Sequence, residues 1–171
     1  MSKHKGFTLM EMMIVIAVMG ILASMMMMSS SESISTARAS SIVTNLRNFS
    51  MAAMAYYTNN VDRFGKEPDF LKNDPATLKA NVEEYMHNEG KIPDEPNIII
   101  YNDSGTWWAG YNLTTALDND KVREKLQGRS ESANLKGTTS DTPPAKDSAD
   151  DYDCTTKKHT YVWIQIRSNR N

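Results

Sequence analysis

The chain has 171 residues, 40% hydrophobic and 23% charged, with a formal net charge of −2. That length suits about one domain, and the mild acidity gives no electrostatic reason to expect nucleic-acid binding. Cys154 stands alone, which excludes an intrachain disulfide and an all-cysteine metal site; an exported chain can keep such a thiol buried or pair it between chains, and the plain reading is a partly buried or unreactive thiol, because reactivity needs a shifted pKa.

Taken in chain order, the first predicted element is the run FTLMEMMIVIAVMGILASMMMM at residues 7–28. As a helix it would span about 33 Å, the thickness of a bilayer core. Lys3, His4 and Lys5 precede it, and no Lys or Arg follows until Arg38. The positive-inside rule therefore places the N-terminus in the cytoplasm and everything after Met28 outside it. A secretory signal peptide, with Ser29 and Ser31 as the small cleavage residues, has a shorter apolar centre than this run. A plain signal anchor fits the length. Neither accounts for Glu11, the run's one ionisable side chain, which costs up to about 2.5–3.5 kcal/mol at a bilayer centre and less near an end. A cut between Gly6 and Phe7 would create an α-ammonium four residues before Glu11 in the same apolar layer. Glu11 could neutralise that amine on its own or a neighbouring helix, and a poorly solvated pair is worth far more than one in water.

The segment KGFTLMEMMIVIAVMGILAS resembles the N-terminal signature of type IV pilins and of the pseudopilins of type II secretion. Basic leader, Gly6-Phe7, Thr8-Leu9, Glu11 and the apolar run occur together and in order, although only over about the first 30 residues. The resemblance implies removal of a leader, residues 1–6, by a prepilin peptidase, with N-methylation of Phe7. It implies that Glu11 recruits the subunit by pairing with the preceding subunit's terminal amine, and argues against a subunit confined to the filament tip. Loss of Lys3 and Lys5 would leave 17 basic against 21 acidic residues, a charge of −4. Many relatives carry a proline near the outer end of this helix; here Met28 holds that position and residues 7–66 have no proline. A long, nearly continuous helix follows, with Gly20 as a weak point and Ser29 to Ser31 as places where it could bend. The methionines of the run read as adaptable apolar packing rather than metal or redox chemistry.

Residues 29–60 continue the helix outside the membrane. Ile42, Leu46, Phe49, Ala53 and Tyr56 form one apolar stripe made to receive a head. Residues 61–171 are the expected head. Asp74-Pro75 reads as an N-cap and first helical position, with Leu78, Val82 and Tyr85 on one face and Gly90 at the end. Residues 97–101 and 106–113 read as a β-hairpin around the turn cluster Asn102 to Gly105. A short helix is expected over residues 119–126, then a long surface loop at 129–158. The alternating segment 160–167 reads as a terminal, half-buried third strand. The predicted fold class is α+β: a long transmembrane and stem helix packed on a small antiparallel sheet, a layout that resembles the pilin head.

In relatives a disulfide or a calcium ion often staples the last loop. Calcium could be held here by Asp147, Asp150, Asp151 and Asp153, but no EF-hand spacing supports it, and a solvated acidic loop is the plainer reading; no other cofactor is expected. His4 lies in the leader, while His87 and His159 lack motif neighbours and default to the surface. Glu83 and Glu84 read as solvated. Of Trp107 and Trp108, on opposite faces of a strand, one is expected in the core and the other exposed as a packing or ligand surface. No nucleophile elbow, phosphate loop or metal spacing suggests an enzyme. The expectation is a structural subunit of a type IV pilus or a pseudopilus. It would sit in the bacterial inner membrane and then in a cell-surface or periplasmic filament, partnered by other pilin subunits, the prepilin peptidase and an assembly platform. The alternative is a single-pass, membrane-anchored ligand-binding module that never polymerises.

Overall fold

The computed structural model describes residues 6–64, 75–86, 97–103, 106–116, 120–145 and 150–167. Helix α1 spans Leu9–Asn59, 51 residues, or about 76 Å at 1.5 Å per residue. It passes Gly20 and position 28 unbroken, as the absence of proline leads one to expect. Serine and threonine hydroxyls at 24, 35, 36 and 40 donate back to the carbonyl four residues earlier, so these polar groups are satisfied within the helix. Asn60 ends it: its N–H donates to the Tyr56 and Tyr57 carbonyls and its side-chain amide to the Tyr56 carbonyl at 2.9 Å.

The two halves of α1 differ in what covers them. Residues 6–27 are exposed throughout, whereas burial begins at Ser35 and continues along Ala39, Ile42, Val43, Leu46, Phe49, Ala52, Ala53 and Tyr56. The second set is the predicted stripe with its flanks, and it forms one wall of the core. Each fully buried Leu or Phe there stabilises the head by about 1.5–3 kcal/mol.

Among the described residues, four strands form one antiparallel sheet: β1 (Ile98–Asp103), β2 (Thr106–Asn112), β3 (Lys136–Thr138) and β4 (Tyr161–Arg167), in spatial order β1-β2-β4-β3. The predicted hairpin is β1 and β2, and the terminal strand does lie third across the sheet. Helix α2 (Val61–Phe64) follows the stem, and α3 (Pro75–Glu83) buries Leu78 and Val82. Tyr85 then meets Tyr56 edge to face, with ring centroids 5.4 Å apart. Asp74 and Gly90 lie outside the described residues. After β2 come α4 (Leu113–Ala116) and α5 (Asp120–Gln127), which buries Val122 and Leu126.

Three expectations are corrected. The 129–158 stretch is not one long loop: it contains α6 (Ser130–Ala133), closed by Asn134 at φ 51°, and strand β3. Leu135 and Tyr152 anchor it in the core, and Tyr152 N–H donates to the Leu135 carbonyl at 2.9 Å. Two isolated apolar side chains suffice because β4 supplies the pairing partner. Trp107 and Trp108 are both buried, at 1% and 2% exposure. Trp107 faces α1 beside Tyr56 and Tyr57, while Trp108 lies on the other face with Tyr101, Thr142, Pro143 and Pro144. The chain after β3 covers that face, so it is not the solvated side of a simple two-layer head. His159 is buried too, its Nδ1 accepting the Asp153 N–H at 3.1 Å.

Two glycines allow this packing. A Cβ on Gly110 would lie 2.4 Å from ring carbons of Trp163, and one on Gly137 would lie 2.0 Å from Nδ1 of His159. Trp163 is fully buried in its seat, donating Nε1–H to the Thr138 hydroxyl at 2.8 Å and stacking beside Tyr161.

Candidate functional site

The N-terminal segment unites the residues of interest. Gly6, Phe7 and Thr8 precede the helix, and Thr8 has extended backbone at φ −78° and ψ 153°. The Gly6–Phe7 bond is therefore outside the helical hydrogen-bond ladder. Among the described residues nothing lies within 4 Å of a Cβ position at Gly6, and Phe7 is 80% exposed.

Glu11 folds back over the helix start. Its Oε2 accepts the Thr8 N–H at 2.8 Å and the Thr8 hydroxyl at 2.9 Å, while its own N–H donates to Thr8 Oγ1 at 3.2 Å. This is a reciprocal capping box, with Thr8 as N-cap and Glu11 as the third helical residue. It satisfies donors that would otherwise be orphaned at a helix N-terminus, where the helix dipole also favours negative charge. The arrangement explains how an apolar helix carries a carboxylate, and it holds that carboxylate on the side from which the chain enters. Thr8 was absent from the site residues drawn from sequence, although Thr-x-x-Glu ahead of an apolar run is a readable capping signal.

From here to residue 27 α1 is apolar and uncovered. It is long and apolar enough to cross a membrane, with a window of mean hydropathy 2.3 that is 0% buried in the protein. The head starts just past it: Lys125 of α5 pairs with Glu32 at 2.7 Å and Lys121 lies 3.5 Å from the Ser31 hydroxyl.

The other sequence candidates are dispersed or already engaged. Lys3, Lys5, His4, His87 and Asp147 lie outside the described residues. Asp150 pairs with Lys157, and Asp151 with Lys136 at 2.8 Å. Asp153 accepts the N–H groups of Thr155 and Thr156 at 2.9 and 3.0 Å, bonds that lower its pKa to about 2. Among the described residues no three His, Cys, Asp or Glu side chains converge as a metal site. Cys154 is half-buried, with Sγ 2.9 Å from Gln127 Oε1, and burial pushes its thiol pKa up. That is the opposite of an activated cysteine. Glu83 and Glu84 are exposed, Glu83 lying 3.8 Å from Lys79.

A family model described as the prokaryotic N-terminal methylation motif matches residues 1–27. The match takes in Gly6, Phe7, Thr8, Glu11 and nearly all of the uncovered apolar helix. No curated protein and no solved structure matches the chain.

Proposed function

We propose that this chain, which carries the type IV pilin and pseudopilin signature at residues 1–27, is the precursor of a structural subunit of a type IV pilus or a type II secretion pseudopilus. A prepilin peptidase cuts between Gly6 and Phe7, and Phe7 is N-methylated. The mature chain waits in the bacterial inner membrane with its N-terminus on the cytoplasmic side. It is then drawn into a filament in which its apolar helix packs against those of other subunits, with Glu11 facing a neighbour's Phe7 ammonium. The role is mechanical rather than catalytic.

One observation carries this reading: an uncovered apolar run at the start of α1 whose sole ionisable side chain, Glu11, sits one turn in from the exposed Gly6–Phe7 segment. An ordinary anchor needs the apolar length but neither the carboxylate nor its spacing from a cleavable bond. A carboxylate kept at that depth has a stabilising use when a cation arrives beside it.

The test is the intact mass of the protein extracted from membranes. The expected chain begins at Phe7 and is heavier by one methyl group. A mature chain that still begins at Met1, or begins near Glu32, would remove the proposal and favour a simple anchor or a signal peptide.

A further inference from the structure

The face of the sheet turned away from α1 carries a cavity of about 140 Å³. Successive side chains of a strand point to opposite faces, so Trp108 of β2 lies opposite Trp107, which faces α1. Tyr101 of β1 is the direct cross-strand partner of Trp108, and Thr106 stands two residues before it on β2. These three side chains form the floor of the cavity, and Thr142, Pro143 and Pro144 form the wall across from it. Among the described residues, the strap that supplies this wall, residues 139–145, makes no backbone-to-backbone hydrogen bond. Hydroxyl groups hold it instead. Thr138 Oγ1 donates to the Ser140 carbonyl at 2.7 Å, Thr160 Oγ1 to the Thr139 carbonyl at 3.3 Å, and Ser140 and Thr142 share a bond of 2.8 Å. Such a wall can shift to admit a ligand without opening the sheet.

Size and lining say what fits. An apolar cavity of about 150 Å³ is large enough to hold benzene, so this one has the volume of a single six-membered ring. Its lining is not apolar throughout. Thr106 is 7% exposed, and neither its hydroxyl nor the Tyr101 phenol is hydrogen-bonded to a described residue. Polar groups at this depth are nearly always partnered, so the two hydroxyls point to a ligand that donates and accepts hydrogen bonds. The aromatic rings present negative π-faces, which favour C–H groups laid against them. Among the described residues no charged side chain lines the cavity, so a phosphate, a carboxylate or an ammonium would enter without a counter-charge. A ring with C–H faces and a rim of neutral hydroxyls meets every one of these conditions.

We propose that the cavity between Trp108 and the 139–145 strap binds one pyranose ring of a neutral carbohydrate. Trp108 packs against a C–H face of the ring, and the Thr106 and Tyr101 hydroxyls bond to its rim. The inference concerns the head alone and does not depend on the filament reading.

The experiment uses the full chain in a detergent that contains no sugar, with methyl glucoside, methyl galactoside and N-acetylglucosamine as probes. Saturation-transfer NMR reads contact between protein and ring protons, and a titration gives the affinity. Transfer to the ring protons of at least one probe is expected. Thr106→Val with Tyr101→Phe removes two hydroxyls that hold nothing in the protein, and is expected to weaken binding about tenfold with the melting midpoint unchanged. Ala145→Phe enlarges an exposed residue of the lining and is expected to abolish transfer by filling the mouth. Absence of transfer to all three probes, the result for a cavity that takes only water, overturns the inference. Equal affinity in the wild-type chain and the double variant overturns the site. Displacement of the bound sugar by choline overturns the assignment to a neutral ring.

Discussion

Replacing Glu11 by Ala separates two effects that pull in opposite directions. In the single chain the carboxylate accepts two hydrogen bonds from Thr8, at 2.8 and 2.9 Å, and its loss leaves the Thr8 N–H without its acceptor. Loss of a capping interaction costs about 0.5–2 kcal/mol, felt as fraying of the first turn. Insertion gains, because a carboxylate costs up to about 2.5–3.5 kcal/mol at the bilayer centre and less at this depth, one turn in. Membrane levels should therefore hold or rise. On the proposed assembly, the neighbour's Phe7 ammonium would be left unpaired in an apolar layer, and removing one member of a buried pair costs about 3–5 kcal/mol. At about 1.4 kcal/mol per factor of ten, that is a hundredfold to several-thousandfold loss at each junction. The assay compares membrane fractions with sheared filaments for Glu11→Ala and Glu11→Gln. Gln keeps acceptors for Thr8 but lacks the charge, so it should rescue the helix start and not assembly. Normal filament yield from either variant refutes the pairing argument. Failure of both to insert would show that Glu11 acts before assembly.

Three further outcomes follow from the head. Gly110→Ala drives a methyl into the ring of Trp163, 2.4 Å away in a fully buried seat; overpacking of this kind costs about 1–3 kcal/mol, read as a lower melting midpoint of the detergent-solubilised chain. Burial, and then the nearby Lys157, lower the pKa of His159, so the folded head favours the neutral imidazole more than the unfolded chain does. The unfolded chain binds the proton more readily, so this stability is full above the ordinary imidazole pKa of 6.5 and is lost as pH falls below it. His159→Gln should flatten that part of the stability profile, while the component from Asp153, lowered from 3.8 to about 2, persists and disappears between those values. Cys154, held by Gln127 and raised in pKa, should alkylate more slowly at neutral pH in the folded chain than in urea, and equal rates would contradict the observed burial.

The first 30 residues were readable because their signals are local: a count of apolar residues against bilayer thickness, a basic flank, one carboxylate at a set distance from Gly6-Phe7. The unbroken helix follows from the missing proline, and the core stripe from its helical period. The capping partner of Glu11 was equally local and lay in plain sight as Thr8. What the tertiary structure decided is long-range. Strand β3 exists because β4 pairs with it, and nothing in Lys136 to Thr138 announces a strand. Trp108 and His159 are buried because other parts of the head cover their faces, and alternation along a strand cannot count the layers stacked on a sheet. Gly110 and Gly137 make room for rings brought from residues 163 and 159, a reason that exists only once the chain has folded.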